Sequence, residues 1–121
     1  MIGLGIDVCQ VERIEKALQK GDGFLNRYYT QEEREYLRDK TRAQSAAGMY
    51  AAKEAFLKAL GVGLSGGVAL SDIGVAHDER GCPTYALSVK AVEAMRLKGA
   101  QSSFLSITHD GGIAAAVCVL E

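Results

Sequence analysis

Ile2, Leu4, Ile6 and Val8 alternate with Gly3, Gly5 and Asp7, and a period of two predicts a strand. One of its faces is apolar. The other carries a carboxylate and two positions without side chains, where a second backbone or a ligand can come close. The period then changes. In VERIEKALQKG, Val11, Ile14 and Leu18 recur at helical spacing and Gly21 supplies a stop. TQEE, from Thr30 to Glu33, fits a capping box and predicts a helix running on to about Lys40. A long helix is predicted over Arg42 to Leu60, closed by Gly61. Its Ala46, Ala47, Gly48, Ala51, Ala52, Ala55 and Ala59 suit close approach to a sheet or another helix. GVGLSGG reads as a flexible loop. IGVAH and TYAL read as strands joined by DERGCP, and SVKAVEAMRLKG as an amphipathic helix with Ser88 as cap and Gly99 as stop. SFLSITH and GIAAAVCVL read as strands joined by Asp110–Gly111–Gly112, a strong hairpin signal. The order strand, helices, hairpin, helix, hairpin predicts an α+β fold, a mostly antiparallel sheet packed against a long central helix.

At 121 residues the chain suits one domain, 1–121, with one core. The net charge of −1 gives no overall attraction to nucleic acid or to a membrane surface, so an acidic partner has to meet a local basic patch. No apolar run approaches the roughly 20 residues of a membrane span, and MIGLGIDVCQ has no basic leader of the kind that opens a signal peptide. Cys9, Cys82 and Cys118 have no metal-ligand spacing and read as free thiols of a cytoplasmic protein.

Charge is distributed unevenly. Between Ala43 and Ser71 the only charged residues are Lys53, Glu54 and Lys58, all on the small, apolar long helix. Glu54 and Lys58 are one turn apart and share a face, with Lys53 about 100° around from Glu54. Two readings stand. One is a solvated face with a modest Glu–Lys pair. The other is a phosphate site, in which the carboxylate holds a Mg²⁺ that takes one or two protein carboxylates and the lysine meets phosphate oxygens. Asp7, on the glycine side of the first strand, is the candidate second carboxylate; its alternative role is to cap the helix that follows. His109 ends a strand at the Asp-Gly turn, a place for a structural hydrogen bond or a ligand contact. Ser106 and Thr108 alternate onto one strand face. Arg13, Lys16 and Lys20 form one basic stripe, either a solvated face or a dock for an acidic helix.

Four motifs in order resemble the holo-acyl carrier protein synthases, the small bacterial 4′-phosphopantetheinyl transferases: GIDVCQVERI, AGMYAAKEAFLKALG, GCPTYAL and LSITHDGGIAAAVCVL. The resemblance implies transfer of the 4′-phosphopantetheine arm of coenzyme A to a serine of apo-acyl carrier protein, with release of adenosine 3′,5′-bisphosphate, in support of fatty acid biosynthesis. It implies that Asp7 and Glu54 ligate Mg²⁺ and that Lys58 pairs with the phosphates. It also implies that Lys53 lies near the coenzyme, that His109, Ser106 and Thr108 lie by its nucleotide end, and that Gly81 and Pro83 shape the adenine side. Arg13, with Lys16 and Lys20 on the stripe, would meet the carrier protein. Glu54, through a water on the metal, is the candidate base. The family's trimer, with active sites between subunits, is carried over in the same way. Two departures stand out: Met49 replaces an arginine that many members have, and Cys82 replaces a more usual basic or small residue. The competing reading is a non-catalytic oligomeric module that holds coenzyme A or a similar nucleotide.

Overall fold

The computed structural model describes residues 1–39, 42–61 and 66–121. In chain order the elements are β1 (Gly3–Gln10), α1 (Val11–Gln19), α2 (Gly23–Tyr28), α3 (Gln31–Tyr36), α4 (Arg42–Leu60), β2 (Ile73–His77), β3 (Pro83–Leu87), α5 (Val89–Lys98), β4 (Ser103–Asp110) and β5 (Ile113–Leu120). The strands form a three-stranded sheet, β1-β5-β4, and a β2-β3 hairpin, with every pair antiparallel. The α+β expectation, an antiparallel sheet against a long helix, is met.

Most boundaries follow from local chemistry. Thr30 Oγ1 accepts from the Glu33 amide at 3.1 Å and Glu33 Oε1 accepts from the Thr30 amide at 2.8 Å, the predicted capping box. The helix it starts is shorter than expected. α3 ends at Tyr36 and a 3-10 turn covers Leu37–Asp39; Lys40 lies outside the described residues. Ser88 Oγ caps α5 by accepting from the Ala91 amide, and Gly99 ends it at φ +104°. The hairpin between β4 and β5 turns on Gly111 and Gly112, with φ +56° and +79°. That left-handed pair suits the twist of a two-residue hairpin loop. α2 and a 3-10 turn at Leu70–Asp72 are too short to show a periodic signal. Residues 62–65 of the predicted loop lie outside the described ones.

The centre of the fold is α4, buried along most of its length. Its hydrophobic positions do not form a stripe, because it is enclosed rather than laid on a surface. Tyr29 and Tyr85 pin it from outside, each donating its hydroxyl at 2.6 Å to a helix carbonyl, Ala46 O and Ala52 O respectively. β1 meets the helix with its glycine face. A Cβ on Gly5 would lie 1.9 Å from Ala55 O, and one on Gly3 2.3 Å from Ala59 O. The strand's apolar face points outward instead: Leu4, Ile6 and Val8 are 57%, 63% and 62% exposed.

Gly5→Ala should therefore cost about 3 kcal/mol or more, the upper end of overpacking, because backbone rather than a side chain must move. Gly23→Ala, where an added Cβ meets nothing within 4 Å, should stay within about 1 kcal/mol of the parent. Urea denaturation of both variants checks this. A Gly5→Ala chain with the parental midpoint would contradict the packing described.

Candidate functional site

Close contact of β1 with α4 sets Asp7 beside the charged turn of the helix. Lys58 Nζ donates to Asp7 Oδ1 at 2.9 Å and to the Ile6 carbonyl at 3.1 Å. Lys58 remains more than half exposed, while Asp7 is mostly covered. Burial, and then the negative charge of Asp7, push the Glu54 carboxyl above its ordinary range; Lys58 and Arg13 pull it part of the way back. Asp7, the candidate second carboxylate, thus shares one electrostatic neighbourhood with Glu54 and Lys58. A carboxyl whose proton affinity is raised by a second carboxylate fits a divalent cation, which offsets the negative charge there. The described residues contain no cluster of three or more metal-ligating side chains, so the fit is to an ion that takes its remaining ligands from water or substrate. Tyr50 is electrostatically coupled to Glu54, its ring 5.6 Å from the Arg13 guanidinium and stacked on Phe24 at 5.8 Å. Burial and then the Glu54 charge raise its hydroxyl pKa.

Lys53 departs from expectation. It is wholly buried and on another side of the helix. Its ammonium donates to Glu33 Oε1 at 2.6 Å, Ile73 O at 2.9 Å and Leu70 O at 3.3 Å. Glu33 Oε2 accepts from the Val75 amide at 3.0 Å, so the buried pair is fully bonded. With all three of its donors engaged inside the protein, Lys53 is not available to a coenzyme. It ties α4 to α3 and β2. Burial lowers its pKa and Glu33 raises it in part.

A second centre lies toward the other end of α4. A cavity of about 210 Å³ is lined by Met49, Gly81, Pro83, His109, Tyr36 and His77, among others. Gly81 and Pro83 thus join His109 as anticipated, and Met49, 1% exposed, makes that wall apolar. His109 Nε2 sits 3.1 Å from Gln44 O. Ser106 and Thr108 are not with it. Along β4 they share the outer face with Phe104, whereas His109 follows Leu105 and Ile107 on the face toward α4, because successive strand residues point opposite ways. Within one protomer they are therefore on the opposite face of the sheet from His109.

Arg13 and Lys16 on α1 and Lys20 at its C-terminal cap are exposed and line one shallow groove. Lys16 also pairs with Glu12 at 3.2 Å. Sequence reasoning missed Glu33 beyond its cap, and Tyr36 with His77, whose rings stack at 4.3 Å and 6°. The sequence signal for His77 was that it is one of two histidines; its pairing with Pro83 across the hairpin is given by the folded structure. The three cysteines are free.

Residues 3–118 match the family model described as the 4′-phosphopantetheinyl transferase superfamily. The chain is 41% identical over 123 residues to a holo-[acyl-carrier-protein] synthase of Trichlorobacter lovleyi and 46% identical over 123 residues to that of Treponema denticola, covering 100% of this chain and 98% of each relative. Among solved structures it resembles the Neisseria meningitidis synthase, with a TM-score of 0.92 at 30% identity, covering 100% of this chain and 98% of that one. It also resembles the Helicobacter pylori synthase in complex with coenzyme A, with a TM-score of 0.85 at 36% identity, covering 98% and 99% respectively.

Two outcomes are expected. Lys53→Met strands a buried carboxylate and should cost about 3–5 kcal/mol, whereas Lys53→Met with Glu33→Gln should recover more than half of the loss and keep coenzyme A binding. Urea titration and calorimetry measure these, and parental stability in the single variant would contradict the buried pair. Because the folded chain holds the Glu54 carboxyl above its ordinary value of 4.5, it binds more protons there than the unfolded chain does. Stability therefore falls as pH rises through that window. Metal-free Glu54→Gln should be more stable than the parent at about pH 7, with the gain gone at about pH 3.5. Denaturation at both pH values checks it; a less stable Glu54→Gln chain at neutral pH would contradict the crowding of the two acids.

Proposed function

The chain belongs to the 4′-phosphopantetheinyl transferase superfamily, and from that membership we propose that it moves the 4′-phosphopantetheine arm of coenzyme A onto a serine hydroxyl of an apo-acyl carrier protein. The observation that carries the reading is the meeting of Asp7, Glu54 and Lys58 where β1 abuts α4. Phosphoryl transfer asks a protein mainly for positioning and charge neutralisation. Asp7 and Glu54 would hold Mg²⁺, which when bound neutralises pyrophosphate charge and orients it. Lys58, more than half exposed and held by Asp7 and the Ile6 carbonyl, can turn its ammonium to the oxygens that gain charge as the phosphoanhydride bond breaks. The nucleophile comes from the carrier. Its serine oxygen forms the new bond to phosphorus, and adenosine 3′,5′-bisphosphate leaves. Glu54, acting through a water, is the candidate to take the serine proton.

The arrangement of the two centres supports a homotrimer with sites between subunits. His109 is in register, through Ala114, with Cys9 of β1. Its cavity is therefore two strand spacings, about 10 Å, from the strand that carries Asp7. Gly48 and Glu54 are also separated by about 9 Å along α4. In such an assembly a coenzyme laid on one protomer's acids would reach a neighbour's His109 cavity. The outer face of the sheet offers the contact: Leu4, Ile6, Val8 and Phe104 are each more than half exposed, with Val117 and Val119 between them on β5. A soluble monomer rarely leaves such a face bare. In that assembly Ser106 and Thr108, on the same face, would approach a neighbour's ligand. Arg13, Lys16 and Lys20 would steer an acidic carrier helix. No helix among the described residues is long and apolar enough to cross a membrane, in keeping with cytoplasmic work in fatty acid biosynthesis.

Incubating the chain with an apo-carrier protein, coenzyme A and Mg²⁺ should add one phosphopantetheine mass to the carrier serine. Chelation should stop the gain without unfolding the enzyme, and Asp7→Asn or Glu54→Gln should cut the rate at least about a hundredfold, in the range of lost electrostatic stabilisation. Intact coenzyme A binding with no mass gain would favour the non-catalytic module, and turnover after chelation would remove the metal from the account.

A further inference from the structure

Gly48 lies inside α4, where glycine weakens a helix relative to alanine. Its backbone does not ask for glycine, since its φ is not among the positive values in the chain. The space around it does. An added Cβ would lie 2.9 Å from His109 Nε2, 3.4 Å from His109 Cε1 and 3.0 Å from Ile107 Cγ2. The nearest obstacle is thus the far end of one imidazole ring. That nitrogen sits 3.1 Å from Gln44 O, the carbonyl one turn before Gly48 on the same side of the helix. A carbonyl oxygen only accepts, so in the neutral ring the proton is on Nε2 and the lone pair on Nδ1.

We propose that Gly48 is a positioning residue: the notch it leaves in α4 lets His109 donate Nε2–H to the Gln44 carbonyl, which fixes the ring and leaves Nδ1 as its one polar atom for a ligand in the cavity. This rests on the reading that the cavity takes the nucleotide end of coenzyme A, and it assigns the recognition there to an acceptor nitrogen of set orientation rather than to a freely turning imidazole. The other walls mix apolar Met49, Pro83 and Ile107 with polar Ser45, Tyr36 and His77, and the His109 nitrogen is the polar group among them whose direction the notch sets.

Gly48→Ala separates position from fold, because alanine favours the helix while its Cβ displaces the ring. In wild-type protein at about pH 8.5, where imidazole is neutral, nitrogen-15 spectra should show His109 as the Nε2–H tautomer. In Gly48→Ala, with circular dichroism and melting temperature kept, that signature should give way to a tautomer mixture. Affinity for coenzyme A, measured by calorimetry, should fall about three- to tenfold, the worth of one hydrogen bond. His109→Ala should lose a similar amount, and adding Gly48→Ala to it should cost nothing further. Unchanged tautomer and affinity in the folded Gly48→Ala chain overturn the proposal. So does a changed tautomer with unchanged affinity. Should wild-type protein show the Nε2–H signature yet bind no coenzyme A, the nucleotide reading falls and the positioning role with it, while the notch geometry holds. Coenzyme A binding without the signature overturns the notch alone.

Discussion

The backbones of β1 and α4 lie so close that no side chain fits between them at Gly3 and Gly5. Everything distinctive about the molecule depends on that contact. It takes the place usually held by interdigitated apolar side chains and spends the strand's glycine face on the helix. The strand's branched apolar residues are turned outward as a result, to an exposed sheet face that calls for protein contact. It also brings Asp7, two residues beyond Gly5, within reach of the turn of α4 that carries Glu54 and Lys58.

The three charges of the otherwise apolar stretch serve two different ends. Lys53 is structural, an ammonium fully paired with Glu33 and two carbonyls. Such a pair contributes little net stability but is costly to break from one side, so it fixes where α3 and β2 sit against the helix. Glu54 and Lys58 look toward β1 and solvent. There the crowding of Glu54 by Asp7 is a local cost of the kind functional sites carry. The two roles are about 100° apart around one helix, which lets a scaffold charge and a working pair occupy consecutive positions without interfering.

Much of this was legible in residues alone. The long helix and both hairpins followed from period, small-residue content and glycine stops, and the capping box at Thr30 followed from TQEE. The face of Asp7 was legible from alternation on β1, and the pairing of Glu54 with Lys58 from one helical turn on α4, because both are local rules; the resemblance, not the spacing, joined the two elements. What failed was long-range. Nothing in the spacing tells that Lys53 is met by Glu33, twenty residues earlier, or that a capping glutamate has a second oxygen to offer. Ser106 and Thr108 were placed with His109 at the nucleotide end by the resemblance alone, and strand alternation sets them on the opposite face within one protomer. The cavity formed by His77, Tyr36 and His109 needs the hairpin register, which the turn alone does not reveal.

The central claim is that this contact of strand and helix assembles two acids into one divalent-cation site. Manganese binding followed by electron paramagnetic resonance, with coenzyme A present, tests it most directly in wild-type, Asp7→Asn and Glu54→Gln protein. The account predicts one strong site per chain, weakened at least about tenfold by either substitution, since each acid supplies half of the protein's charge there. Equal manganese affinity in all three proteins would contradict it.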